Sequence, residues 1–568
     1  MRLPPLPALL LAALLGSVAV VPAAAQQEMQ GMDHSMHMGM SMEGGWRMVP
    51  MDMEMPMLPG LETAVPPVDA WLPGAGMDPA MLPEARPSEV ARLEDGDTLE
   101  VSVSMVRRTL AGHEMVMFGY NGQYPGPLIQ APQDATVMVR VTNDIQLPTT
   151  IHWHGLRLRN EFDGVPGVTQ DPIEKGESFL YELDVPDAGM FWYHPHMRED
   201  VQQDLGLFGN LLVRSPDPDY YGPANREVPL VVDDMLMDDQ GPIPYGETAA
   251  THALMGRFGN VMMVNGVTDW SLELDRGEVV RFFLTNVANS RTFNVTFGDA
   301  PVKIVASDVG RYEREQWVQS VVIAPAERYV VDVRFPDAGE VAITNAIQAQ
   351  NHFRGIFYPH VDTLGTVSVG AEEVADNHRE SFETLRTHDE VVADIDGFRR
   401  WFGSEPDHEL LTTVRVRNLP LPIMQSMEMD TLYVPPMEWN DAMPMMNWLS
   451  TADQVEWILR DTDTGKENAE IDWRFSVGDV VKIRVRNTPD SFHPMNHPFH
   501  IHGQRFLVLA MDGVERDNLV WKDTAIVPVG STMDILVEMS NPGTWMAHCH
   551  IAEHLESGMM FNFEVEAR

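Results

Sequence analysis

His548-Cys549-His550-Ile551-Ala552-Glu553-His554-Leu555-Glu556-Ser557-Gly558-Met559 contains the only cysteine of this 568-residue chain. Side chains alternate faces along a strand, so in an extended segment His548 and His550 point one way and Cys549 the other. One tripeptide can then touch two different metal centres. A soft thiolate, two imidazoles and a weak axial thioether are the donors of a blue copper electron-transfer site. Cys549 offers the thiolate, with His554 five residues on and Met559 ten residues on. The cysteine becomes the wire between centres.

Such a strand needs partners, and three further motifs supply them. His152-Trp153-His154-Gly155 and His194-Pro195-His196 each place two imidazoles at i and i+2, on one face of an extended segment. In His497-Pro498-Phe499-His500-Ile501-His502, His500 and His502 share a face while His497 lies an odd number of positions away. That offset fits one ligand for the lone copper and two for a cluster. A single His-X-His pair is ordinary in a strand, but here ten of the chain's 20 histidines sit in four short motifs.

The order and spacing of these motifs resemble the copper-ligand signature of the multicopper oxidases, the family of laccases, cuprous oxidases and ascorbate oxidase. Tyr120-Asn121-Gly122-Gln123, Pro125-Gly126-Pro127 and Val264-Asn265-Gly266 are similar to the family too, and the likeness runs from about residue 88 to the end of the chain. The resemblance implies four copper ions: a type 1 copper on His497, Cys549 and His554 with Met559 axial, a type 2 copper on His152 and His500, and a type 3 pair on His154, His194, His196, His502, His548 and His550. It also implies the reaction. A donor gives up single electrons at the type 1 copper, Cys549 passes them through His548 and His550, and the cluster collects four for dioxygen, which leaves as water.

Water formation consumes protons, so a carboxylate relay is expected near the cluster. Asp163 is the first candidate, because relatives carry an acid near the type 2 copper at this place; Asp163-Gly164 also reads as a tight turn. Some bacterial relatives put Glu directly after the last type 1 histidine, whereas this chain has Leu555 there and Glu556 next. Met559, rather than an apolar residue, should hold the type 1 potential low to moderate.

From residue 88 onward, alternating segments such as Leu99–Met105 and Val137–Val141, with turn residues at short intervals, predict strands throughout. Pro216–Asn225 and Ala371–Arg399 divide the chain into units at residues 88–216, 226–370 and 385–568, a size that suits β-sandwiches. Gly478–Asn487 echoes Gly277–Asn286 and, more loosely, Gln133–Asn143, as duplicated units would. The resemblance supplies the fold name: an all-β chain of three cupredoxin-like domains with Greek-key topology. Ligands occur only in the first and last units, so the cluster is expected where those two meet, with the middle unit as a spacer.

Met1–Ala25 reads as a secretory signal cleaved after Ala25, with no twin arginine before its apolar run. Residues 26–87 are rich in Met and Pro and predict disorder. Thioethers fall at every second position in parts of Met32–Met42 and Met51–Met57, a soft ligand set suited to Cu(I), with His34 and His37 nearby; a biased linker without metal is the alternative. Met424, Met427, Met429, Met437, Met443, Met445 and Met446, with Trp439 and Trp448, form a second group, positioned like the Met-rich insertion of bacterial cuprous oxidases. It reads equally as core packing.

Cu(I) is therefore the favoured donor and a small phenol the alternative. A copper-sequestering protein is disfavoured, because no cluster ligand is missing. The formal charge of −45, from 84 acidic and 39 basic residues, argues against nucleic acid or an anionic membrane as partner. With no apolar span after the leader, the expectation is an exported protein, periplasmic or secreted, and a monomer.

Overall fold

The computed structural model describes residues 69–351, 356–418, 437–439, 447 and 450–568, and its strands fall into three sets of two main sheets each. The first set runs from Val90–Arg92 to Gly209–Arg214, the second from Arg226–Met235 to Ile356–Glu373, and the third from His408–Val416 to Met560–Glu566. These are three cupredoxin-like β-sandwiches.

The internal sequence echo marks one equivalent strand in each domain. Thr136–Asn143, Val279–Asn286 and Asp479–Asn487 each run parallel to an early strand of their domain, Thr98–Leu110, Arg226–Met235 and His408–Val416 respectively. On the other side each pairs antiparallel, with Ser178–Asp184, Arg328–Arg334 and Thr532–Met539. A parallel neighbour demands a crossover connection, which separates this topology from a simple meander. In the first domain Val137, Val139 and Val141 are fully buried while the residues between them are not, the alternation of a sheet with one core face.

The asparagine that ends each echo has a structural reason. Asn143 Nδ2 donates to the carbonyls of Leu147 and Ile173, both at 2.8 Å. Asn286 Nδ2 donates to those of Arg291 and Ile323 at 2.7 and 2.9 Å, and Asn487 Nδ2 to those of Met495 and Val527 at 2.6 and 2.9 Å. Each side chain satisfies one carbonyl of the loop that leaves its strand, at Leu147, Arg291 or Met495, and one of a segment distant in sequence, at Ile173, Ile323 or Val527. In the first and third domains those loops lead directly into His152 and His497.

Residues 69–87, which composition groups with the Met-rich segment, belong instead to the folded part. Trp71 exchanges backbone hydrogen bonds with Tyr245, and the amides of Ala85 and Arg86 donate to Arg107 and Gly122. Leu72 and Ala85 lie against the first domain's core. Burial of Leu72 and Ala85 provides the apolar part of this anchor.

The leader, Met32–Met42, Met51–Met57, Met424, Met427, Met429, Met443, Met445, Met446 and Trp448 lie outside the described residues. Met437–Trp439 forms a short strand parallel to Gly339–Asn351. Among the described residues no helix is long and apolar enough to cross a membrane.

Candidate metal centre

Two strand pairs bring the histidine motifs together. In the first domain His152–His154 pairs antiparallel with Gly189–His194, with His152 opposite His194. In the third, Gly543–Cys549 lies beside His497–Ile501, with His500 opposite His548 and Phe499 opposite Cys549. Across the junction His154 stacks on His500 with ring centroids 3.8 Å apart, and His152 on His502 at 4.0 Å. His550 sits 4.9 Å from His154 and 5.1 Å from His194, while His548 sits 5.3 Å from His196 and 5.1 Å from His502. Eight buried imidazoles thus form one nest.

The Cys549 sulfur stands on the other side of the strand. Its Sγ is 3.5 Å from His497 Nδ1 and 3.8 Å from His554 Nδ1. These are long for hydrogen bonds, but they suit donors sharing one ion bonded to nitrogen and sulfur at roughly 2.0–2.3 Å. His554 comes from the single-turn helix Ala552–Glu556 rather than from a continued strand. Met559 is fully buried in the same apolar cluster as Cys549, and its carbonyl accepts from the Cys549 amide at 3.2 Å. Trp457 stacks on His554 at 4.0 Å and meets His497 edge-on at 4.9 Å.

Burial sets the charge state of these groups. It depresses His154, His194, His196, His500, His502, His550 and His554 well below the ordinary imidazole pKa, with neighbouring imidazoles adding to the effect. Burial alone takes His497 down to about 3, and burial takes His548 to about 4 against the Cys549 carbonyl that favours the charged ring. The rings are neutral near pH 7, with lone pairs free to bind metal. Burial pushes the Cys549 thiol up, so a cation must displace its proton to make the thiolate ligand.

The residues fit copper. His152 Nε2, His154 Nδ1, His194 Nε2, His196 Nε2, His500 Nε2 and both ring nitrogens of His550 are buried without a hydrogen-bond partner. Each such atom costs about 1–3 kcal/mol if nothing occupies its lone pair. His502 Nε2 and His548 Nε2 face each other at 3.0 Å, as nitrogens directed at a common ion would. Sets His152/His500/His502, His152/His154/His194, His196/His502/His548 and His497/Cys549/His554 each bring their ligand atoms within 4.8 Å of one another. Imidazole with thiolate is a donor set that copper favours.

Carboxylates orient the rings. Asp163 Oδ2 accepts from His502 Nδ1 at 2.8 Å, and the Asp163 backbone carbonyl accepts from His152 Nδ1 at 2.8 Å. Asp163 closes the short 3-10 segment Asn160–Phe162, and Gly164 after it has φ +80°, where a Cβ would lie 1.9 Å from the Ile151 carbonyl oxygen. Two carboxylates not singled out in the sequence join Asp163. Asp523 Oδ1 accepts from His154 Nε2 at 3.0 Å, and its backbone carbonyl accepts from His500 Nδ1 at 2.8 Å. Glu199 Oε1 lies 3.2 Å from His196 Nδ1.

A family model described as multicopper oxidase matches each domain, at residues 102–218, 214–356 and 438–568. The chain belongs to the multicopper oxidases. It is an oxidoreductase that uses oxygen, and copper is the cofactor of its family. This oxidase is 26% identical to the multicopper oxidase MmcO of Mycobacterium tuberculosis over 83% of this chain and 88% of that one. It is 27% identical to the oxidoreductase tpcJ of Aspergillus fumigatus, over 83% and 84%. Among solved structures, a multicopper oxidase of Campylobacter jejuni, described as a metallo-oxidase, shares the fold with a TM-score of 0.63 at 22% identity, over 88% and 98% of the two chains. Lac15 from a marine microbial metagenome superposes with a TM-score of 0.56 at 26% identity, over 82% and 99%.

The middle domain of this multicopper oxidase is more than a spacer. Its Ala253 carbonyl accepts from Trp457 Nε1 at 2.9 Å, behind the His497/His554 pair. Its Arg328 reaches both oxygens of Asp523, at 2.7 and 2.6 Å. The available sequence signal is Gly155, which directly follows His154. Its φ is +85°, and a Cβ would meet Asp523 Oδ2 at 2.3 Å and Arg328 Nη2 at 2.6 Å.

Proposed function

We propose that this multicopper oxidase takes single electrons from Cu(I) and delivers four to dioxygen, giving water, as an exported enzyme of copper tolerance. The observation that carries the reading is the place of Cys549, whose sulfur faces His497 and His554 while His548 and His550 belong to the nest. His497, Cys549, His554 and Met559 would hold a type 1 copper, and His152 and His500 a type 2 copper. His154, His194, His196, His502, His548 and His550 would hold a type 3 pair. Four copper ions so held would supply a one-electron step at one place and storage for four electrons at another, so that partly reduced oxygen would not be released.

Cys549 is joined by peptide bonds to His548 and His550 and forms the covalent path between the two places. Asp163 holds His502 and His152 in orientation, and its Oδ1 has no hydrogen-bond partner. That oxygen lies 3.3 Å from His152 Nδ1, beside the nest where the relay role expected for Asp163 would act.

A cavity of about 750 Å³ adjoins the helix that carries His554, and Asp200, Asp453, Glu456, Glu553 and Glu556 line it together with three arginines. Its five acids, and the chain's net charge of −45, favour a cationic donor. The Met-rich segments supply soft sulfur for the same ion. A laccase-like oxidation of small phenols is the second reading, favoured by a cavity volume that suits organic ligands. Oxygen uptake measured with Cu(I) and with a phenol under identical conditions separates the two. Faster consumption of Cu(I) is expected; faster consumption of the phenol would overturn the assignment of the donor.

A further inference from the structure

Arg328 is buried where all three domains meet. Each of its five guanidinium hydrogens has an acceptor. Nε donates to the Met190 carbonyl at 3.0 Å, in the first-domain strand Gly189–His194. Nη1 donates to the Ala326 carbonyl at 3.1 Å and to Asp523 Oδ1 at 2.7 Å. Nη2 donates to the Asp308 carbonyl at 3.3 Å and to Asp523 Oδ2 at 2.6 Å. The Arg328 amide itself donates to Asp308 Oδ1 at 2.8 Å, and Asp308 Oδ2 pairs with Lys522 Nζ at 3.0 Å. A guanidinium with every donor used, two of them on one carboxylate, is fixed in position and direction.

The fixed carboxylate acts on the nest. Asp523 spends both oxygens on Arg328, and Thr524 Oγ1 donates to Oδ1 at 2.8 Å, so it serves as an oriented acceptor rather than a metal ligand. Its Oδ1 accepts the His154 Nε2 hydrogen at 3.0 Å, which leaves His154 Nδ1 as the nitrogen with no partner. Through Met190, four residues before His194, the same guanidinium also tethers the strand that carries the neighbouring ligand. His154, His194 and His550 form one side of the nest.

We propose that Arg328 of the middle domain is a positioning residue for the histidine nest. Through Asp523 it fixes His154 so that Nδ1 faces the metal, and so ties copper loading at His154, His194 and His550 to docking of all three domains. The inference rests on the copper reading above. A partner that holds the second nitrogen of a metal-binding histidine fixes its tautomer and ring plane, and losing such a partner typically costs roughly 10- to 100-fold in metal affinity.

The test uses the full-length protein with Arg328→Lys, whose single ammonium cannot bridge both Asp523 oxygens, and Asp523→Asn, which keeps the shape and removes the charge. The double variant R328Q/D523N, in which amides replace the buried ion pair, guards against a failure to fold. Copper is titrated back in competition with a chelator. Blue absorption reports the Cys549 site, and electron paramagnetic resonance with total copper reports the nest. The expected result is near-normal blue absorption per chain, with nest affinity lowered roughly 10- to 100-fold, and a double variant no worse than D523N alone. Unchanged nest affinity in a folded variant, or equal loss at both sites in every variant, would overturn the inference. An unsubstituted protein that takes up copper at neither site would overturn the copper reading with it.

Discussion

Acid should unfold the metal-free protein through its buried imidazoles. Burial holds His497 at about 3 and His548 at about 4 in the fold, against 6.5 for a free imidazole. Because the folded values are the lower ones, the unfolded chain takes up protons first as the pH falls. The stability these rings contribute is complete above about pH 6.5, and it declines by up to about 1.4 kcal/mol per pH unit per ring on the way to the folded values. By about pH 4.5 the two rings together have removed about 5 kcal/mol, comparable with the whole stability of an ordinary domain. Seven more nest and thiolate-site histidines are shifted the same way and steepen the loss. Urea unfolding of chelator-stripped protein, followed by tryptophan fluorescence, should show a midpoint that drops sharply between neutral pH and about pH 5 with little change in slope. Copper-loaded protein should resist over the same range, since bound rings have no free lone pair to protonate. A metal-free midpoint that does not move between those pH values, or that moves in parallel with the loaded form, would refute the reasoning.

Cys549→Ser should abolish blue absorption while copper analysis still finds most of the nest copper, because the sulfur points away from the nest. Asp163→Ala removes the carboxylate that accepts from His502 Nδ1 and keeps the backbone carbonyl that holds His152; it should weaken nest copper roughly 10- to 100-fold in chelator competition. Gly164→Ala places a Cβ 1.9 Å from the Ile151 oxygen at φ +80°. It should cost at least about 1–2 kcal/mol for the left-handed backbone alone, seen as a lowered melting temperature. Deleting residues 26–68, outside the packed strap of residues 69–87, should slow Cu(I) turnover and spare dye oxidation; equal loss of both would assign that segment a structural role.

Local periodicity made the fold legible. Val137, Val139 and Val141 declare a one-faced strand by alternation, and the recurring echo marks equivalent strands because Asn143, Asn286 and Asn487 each pin a carbonyl of the following loop to one of a distant segment. The ligand motifs were legible for the same reason, since an i, i+2 pair is a statement about one face of one strand. Composition misread residues 69–87: they share proline with the segment before them, but Leu72 and Ala85 pack against the first domain's core and the backbones of Trp71, Ala85 and Arg86 are hydrogen-bonded to the fold. The helical turn that carries His554 is not given by the alternation of His548, Cys549 and His550, which speaks only for the strand before it.

The orienting groups were not legible, because no local pattern relates them to the rings they serve. His154 and Asp523 lie 369 residues apart in sequence, and Arg328 lies 195 from Asp523. A lone aspartate in Trp521-Lys522-Asp523-Thr524 looks like any strand residue until three domains converge on it. The middle domain carries no ligand, and a count of ligands therefore assigns it nothing to do. Yet without Arg328, the Asp523 carboxylate would be a buried charge with one hydroxyl and one imidazole to face, an arrangement whose cost runs to several kcal/mol, about 3–5 in measured cases where one partner of a buried pair is removed. A ligand shell assembled from two domains is held by a third because a buried carboxylate that orients a histidine must itself be oriented, and among the described residues the cation that meets both of its oxygens, Arg328, comes from the middle domain.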